Sequence, residues 1–198
     1  MIDCIKDQIR TSYIVKQAIL ADDALVALIK EVALKTIEVY RNSHKVLLAG
    51  NGGSAADAQH LAGELVNRLY FDRPGLPALA LTTDTSVMTA IGNDSSYSEV
   101  FARQIQSIGV PGDLFIGIST SGNSANIVRA FDECKAKGII TVGLTGQGNH
   151  KVGQLADYCI KVPSSETPRI QESHILIGHI ICAIVERAIF RGDFSGGH

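Results

Sequence analysis

Cysteine is scarce in this chain. Its 198 residues contain four, Cys4, Cys134, Cys159 and Cys182, scattered and without a CxxC pair. That usage gives no disulfide framework and reads as reduced, mostly buried thiols of a cytosolic protein. Basic runs are missing too. Lys and Arg number 18 against 20 Asp and Glu, a formal charge of −2, so no electrostatic footprint for nucleic acid exists. The opening "MIDCIKDQIRTSYIV" mixes charges into its first ten residues and lacks the apolar stretch of a signal peptide. The most apolar segment, "ILIGHIICAIV" at 175–185, is interrupted by His179 and falls short of the ~20 residues that a membrane span needs. A GxxxxGK[ST] motif is absent, which removes P-loop nucleotide chemistry. Linkers, repeats and low-complexity segments are absent as well.

Hydrophobic residues make up 45% of the chain, enough for a core that buries ~70% of the unfolded surface. The length fits one domain spanning 1–198. Residues 3–20 and 23–41 carry helix-period apolar positions, with Asp22 an N-cap between them. Apolar, strand-like runs follow at 45–50, 77–82, 113–119, 140–146 and 158–162. Helical patterns separate them near 54–69, 85–92, 97–108 and 124–137, and a long helix near 169–190 closes the chain. Nearly continuous apolar strands alternating with helices indicate a parallel sheet covered on both faces. The expectation is one α/β domain with a helical N-terminal extension (1–41) and a frayed tail (192–198).

Ligands of such sheets bind beyond the carboxyl ends of the strands. Three predicted ends carry polar, glycine-rich turns: "GNGGS" (50–54), "STSGNS" (119–124) and "TGQGN" (145–149). The second places Ser119, Thr120, Ser121 and Ser124 in six residues, with Gly122 free to adopt a positive φ. A helix starts near Ser124, so unpaired N–H groups point into the same turn. Hydroxyls and a helix N-terminus without lysine suit a phosphate monoester. An ordinary Ser/Thr-rich cap is the plainer meaning of a lone "SGNS". Gly50, Gly52 and Ala55 match the dinucleotide pattern GxGxxA. The acidic residue expected about 20 residues on is missing, because Asp84 lies beyond the end of the second strand.

His60 and Glu64, four residues apart, share one face of the helix that starts at the first turn. The commoner meaning of this spacing is a solvated pair. Small and apolar neighbours on both sides ("AADA", "LAG") suit a packed helix instead, and zinc accepts an N/O pair of this kind. Further ligands would have to come from elsewhere. The closing helix offers Gln171, Glu172, His174, His179 and Cys182, among which spacing does not choose.

Together "GNGGSAADAQHLAGEL", "GNDSSYSEVF", "GISTSGNSANIVRA" and "RIQESHILIGHIIC" resemble the phosphoheptose isomerases of the SIS (sugar isomerase) family, in order, over about residues 45–190. The resemblance implies a three-layer αβα sandwich with a five-stranded parallel sheet of flavodoxin-like order. It also implies a homotetramer with active sites at subunit interfaces. The helices at 3–41 are too apolar for a free surface arm ("IVKQAILADDALVALIKEVAL") and are expected to pack between subunits. With the cysteine usage, charge and hydropathy above, the expectation is a cytoplasmic protein without nucleic-acid or membrane partners. The activity implied is conversion of D-sedoheptulose 7-phosphate to D-glycero-D-manno-heptose 7-phosphate, toward bacterial heptose precursors of lipopolysaccharide or other surface glycans. One zinc ion per subunit would be held by His60, Glu64, Gln171 and His179. Substrate would meet Asn51, Gly52, Gly53, Glu64, Asn93, Asp94, Ser119, Thr120, Ser121, Ser124 and Gln171. Glu64 and His179 would be catalytic. Pro168 departs from an acidic residue that some members carry before "RIQE". Two other readings of the same fold are a non-catalytic tetramer that binds the replication initiator protein and a sugar-phosphate sensor. Relatives of the first kind lack the Glu64 and His179 positions, and this chain has both.

Overall fold

The computed structural model describes residues 1–192, so the frayed tail expected at 192–198 lies almost wholly outside the described residues. In chain order the elements are α1 (Ile2–Ala21), α2 (Asp23–Arg41), β1 (Val46–Gly50), α3 (Gly53–Val66), β2 (Ala78–Ala80), α4 (Thr85–Asp94), a 3-10 turn (Tyr97–Glu99), α5 (Val100–Ile108), β3 (Leu114–Ser119), α6 (Ala125–Lys137), β4 (Ile140–Thr145), α7 (Lys151–Leu155), β5 (Tyr158–Lys161) and α8 (Thr167–Phe190). Asp22 caps α2 as expected, its carboxylate accepting from the Leu25 amide at 3.0 Å. The short α7 is the one helix not read from the pattern. Five residues carry too little periodicity to register.

All five strands are parallel, in the order β2-β1-β3-β4-β5. Alternation along the strands divides the core. Val46, Leu48, Leu114, Ile116 and Ile118 face α1, α2, α3 and α8. Leu47, Ala49 and Phe115 face α5 and α6. The result is the three-layer α/β sandwich. The order of winding reverses between β1 and β3, the switch point of this strand order, beyond whose carboxyl ends ligands of such sheets bind. The turns "GNGGS" and "STSGNS" leave from these two strands.

By length and composition α8 is apolar enough to cross a membrane, but half of its most apolar window is buried inside the fold, against the sheet, α2 and α3. Pro168 sits in its first turn, where the missing N–H costs nothing. Arg169 of α8 donates to the Gln8 carbonyl, and Lys16 reaches Glu172 at 3.4 Å, which docks α1 across the start of α8.

Near the other end of α8, Arg73 and Glu186 form a buried pair, 3.1 Å apart with side chains 2% and 1% exposed. Glu186 accepts from the amides of Leu69 (2.8 Å) and Tyr70 (2.9 Å). Arg73 donates to the carbonyls of Leu65 (2.6 Å) and Glu64 (2.8 Å), capping the end of α3. Burial pushes the Glu186 carboxyl up, but the two amides and Arg73 outweigh it and hold it below the usual range. The unfolded value is ~4.3. The pair's stabilisation is therefore complete above that pH and is lost as pH falls through the lower folded value. Glu186→Gln should cost about 3–5 kcal/mol at neutral pH, because Arg73 is left without a countercharge. Denaturant melts of parent and variant from about pH 7 to about pH 3 should show the gap between them closing on acidification; a constant gap would contradict the assignment.

Candidate active site

The first turn is built on glycine. At Gly50 a β-carbon would lie 2.3 Å from the Ser54 carbonyl oxygen, and Gly52 has φ +56°. Only bare backbone lets α3 begin so close to the strand end. Asn51 and the buried Asn126 of α6 exchange amide hydrogen bonds at 2.9 and 2.8 Å, and the Tyr97 hydroxyl donates to Asn51 Oδ1 at 3.2 Å. These bonds tie the first turn to the start of α6, which follows the second turn directly.

In the second turn Gly122 takes φ +63°. The Ser119 hydroxyl lies 2.9 Å from that of Ser124 and 3.5 Å from that of Ser121. Ser124 is the N-cap residue of α6 but makes no side-chain cap bond, so its hydroxyl stays with the cluster. The Thr120 carbonyl accepts from Gly146 at 3.0 Å. Three hydroxyls at one helix start can donate to a small anion without a cationic side chain.

His60 and Glu64 extend from α3 toward α8. His60 Nε2 lies 3.2 Å from Glu64 Oε1 and 2.8 Å from His179 Nε2. The three donor atoms all fall within 4.8 Å of one another. His60 is 49% exposed on its side chain, so the cluster is open to a ligand. Two imidazole nitrogens and a carboxylate oxygen form a donor set that suits zinc.

Tertiary contacts also sort the candidates on α8. Glu172 turns to Lys16 of α1. His174 is fully buried, with Nε2 3.2 Å from the Thr145 carbonyl, and burial pushes its imidazole down to about 4, so it is neutral at pH 7. Cys182 packs into the apolar core, and burial pushes its thiol up to about 12. His179 joins the cluster. Gln171 lies two helical turns earlier, about 12 Å along the axis. There its amide covers Gly53, where a β-carbon would stand 2.7 Å from Nε2. Asn93 and Asp94 end α4, exposed and bonded to each other at 2.8 Å.

Asn126, Tyr97 and Asp57 were not singled out from sequence. Asp57 lies on α3 one turn before His60, with Oδ2 buried and unpartnered; burial pushes its carboxyl up, against the pull of His60. A buried polar residue beside a glycine-rich turn was the only available signal for Asn126. A groove of about 650 Å³, lined by Leu69, Tyr70, Leu176, His179 and Ile180, opens beside the cluster. A cleft of about 840 Å³ between α4 and α5 is larger but holds none of these donors.

SIS domain descriptions match residues 15–146 and 110–183. The phosphoheptose isomerase of Aneurinibacillus thermoaerophilus is 68% identical over 98% of both chains. Phosphoheptose isomerase 2 of Campylobacter jejuni is 61% identical over 96% of this chain and 95% of its own. The chain belongs to the phosphoheptose isomerase family of SIS-domain proteins. The solved structure of a phosphoheptose isomerase from Francisella tularensis superposes with a TM-score of 0.90 at 34% identity, covering 94% of this chain and 98% of that one.

The cluster spans two helices, with His60 and Glu64 on α3 and His179 on α8. His60→Ala should lower zinc affinity by about 100-fold, as one of three converging donors is lost. Competition with a chelating dye measures this directly, and parent-like affinity would remove His60 from the ligand set.

Proposed function

We propose that the switch-point crevice isomerises sedoheptulose 7-phosphate to the aldose heptose 7-phosphate, as a step toward heptose precursors of lipopolysaccharide and related glycans. Close similarity to phosphoheptose isomerases over nearly the whole chain supports the activity. The convergence of His60, Glu64 and His179 is the single observation that carries the mechanism.

The phosphate would be held by Ser119, Thr120, Ser121 and Ser124, with the sugar passing Asn51, Gly52, Gly53, Asn93, Asp94 and Gln171. Glu64 takes the proton from C1 and returns it to C2 through an enediol, while His179 moves the proton between the two oxygens. Zinc, when bound, polarises the carbonyl and stabilises the enediolate charge. His60, Glu64 and His179 would hold it, one ion per subunit. Gln171, whose amide covers Gly53, would be the fourth ligand. The initiator-binding and sensor readings require neither the carboxylate nor the imidazole pair, and both are present here.

The homotetramer is the matching proposal for quaternary structure. Ile2, Ile5, Ile9 and Tyr13 leave an exposed apolar face on α1, which suits packing between subunits. Cytoplasmic location without nucleic-acid or membrane partners completes the reading. Sedimentation at micromolar concentration should give the tetramer, and a stable monomer would contradict it.

Glu64→Gln keeps size and an oxygen while removing basicity. Turnover of the folded, zinc-saturated variant should fall roughly 10²–10⁴-fold. Near-parent turnover would leave Glu64 at most a ligand, and a parent inactive with every divalent metal tried would return the binding-protein reading.

A further inference from the structure

The turn at 119–124 is held from behind by the segment that follows β4. The amide of Val152 donates to the Gly122 carbonyl at 3.0 Å, and that of Lys151 to Asn123 Oδ1 at 3.1 Å. From the same segment comes His150, 6% exposed, whose ring lies directly against Gly122. A β-carbon at 122 would come 2.3 Å from His150 Cγ and 2.4 Å from Nδ1. Both ring nitrogens are committed. Nδ1 accepts from the Gly153 amide at 3.1 Å, so Nε2 carries the proton and donates to the Gly146 carbonyl at 3.2 Å. That second bond matters, because the Gly146 amide in turn holds the Thr120 carbonyl at 3.0 Å. Ring contact at Gly122 and the bond through Gly146 therefore grip the turn at two points. Among the described residues the imidazole bonds only to backbone and to none of the hydroxyls.

We propose that His150 is a positioning residue for the substrate's phosphate. Its ring fixes the positive-φ backbone at Gly122 and with it the spacing of the Ser119, Ser121 and Ser124 hydroxyls, without touching the substrate. The inference rests on reading 119–124 as the phosphate turn. Donors bind an anion well only when they are already in place, and a misplacement of about 1 Å is costly. His60, Glu64 and His179 stand on α3 and α8, outside this brace. Loss of His150 should therefore weaken binding of the phosphate and spare the chemical step.

The test compares His150→Ala and His150→Asn with the parent in KM, kcat and inhibition by inorganic phosphate. Asn at the helix start can still accept from the Gly153 amide, which restores the cap but not the ring. In His150→Ala, KM and the phosphate inhibition constant should rise together about 10-fold, the worth of one hydrogen bond to a charged group, with kcat within about 3-fold. His150→Asn should recover melting temperature and keep the raised KM; it also supplies the reading if the alanine variant does not fold. Parent-like KM and phosphate inhibition in folded His150 variants would overturn the proposal, as would a fall in kcat alone. Ser121→Ala/Ser124→Ala runs alongside. If that double variant raises both constants while the His150 variants do not, only the positioning role fails. If it too leaves them unchanged, the phosphate turn fails and His150 with it.

Discussion

Leu61 of α3 rests on the bare backbone of Gly178 in α8, where a β-carbon would come within 2.5 Å of its side chain. This contact sets the distance between the two helices that carry the donor cluster. His60 precedes Leu61 and His179 follows Gly178, so the imidazoles meet because their neighbours interlock. The same two helices touch again at Gly53 and Gln171, with the helices running in the same direction. A wider separation would leave Glu64 and His60 as an ordinary surface pair. Close-packed interiors transmit such changes, since side chains in them have no slack to absorb a displaced backbone.

Polar anchors hold this arrangement at its ends. Arg73 and Glu186 tie the loop after α3 to the last turns of α8, and the arginine caps the carbonyl of Glu64 itself. Two buried charges cost desolvation, and here each has enough partners to offset it: Glu186 accepts from two amides and Arg73, and Arg73 also donates to three carbonyls. The apolar contact at Gly178 sets spacing, while the ion pair sets register. Position and orientation of the donor atoms need both.

The polar turns at the strand ends obey a different constraint. They are backbone turns at the ends of β1 and β3, which the strand order brings together at the switch point. Turns have no core of their own, so each borrows rigidity. Asn51 and Asn126 lock the first turn to the start of α6, and the segment after β4 supports the second turn from beneath. A sugar phosphate held at one end by hydroxyls would extend toward α3 and α8. Binding group and reacting group are then carried by separate parts of the sandwich.

Much of this was legible in the residues alone. Continuous apolar runs marked the five strands and period-3.6 patterns all but one of the helices, because strands covered on both faces and helices covered on one bury their apolar side chains in those patterns. The polar turns at strand ends and the pair His60 and Glu64 were visible for the same local reason, since spacing along a helix or turn is a property of neighbours in sequence. Boundaries were less secure: β2 holds three residues, Ala78–Ala80, where 77–82 was expected, because an edge strand pairs on one side only. What local spacing could not decide was which group on α8 completes the cluster. His174 and His179 are five residues apart on one helix, alike in chemistry, yet one is buried beneath the Thr145 carbonyl and the other meets His60. Asn126, Tyr97 and His150 were hidden for the same reason. Asn126 and Tyr97 meet Asn51, 75 and 46 residues away, and His150 lies against Gly122, 28 residues before it; only the packing of α6, α7 and the switch-point turns brings those atoms within reach. Sequence determines what each segment can become, because propensity and burial period act within it; the choice among equivalent donors belongs to tertiary structure, because it depends on distances between segments that no local pattern encodes.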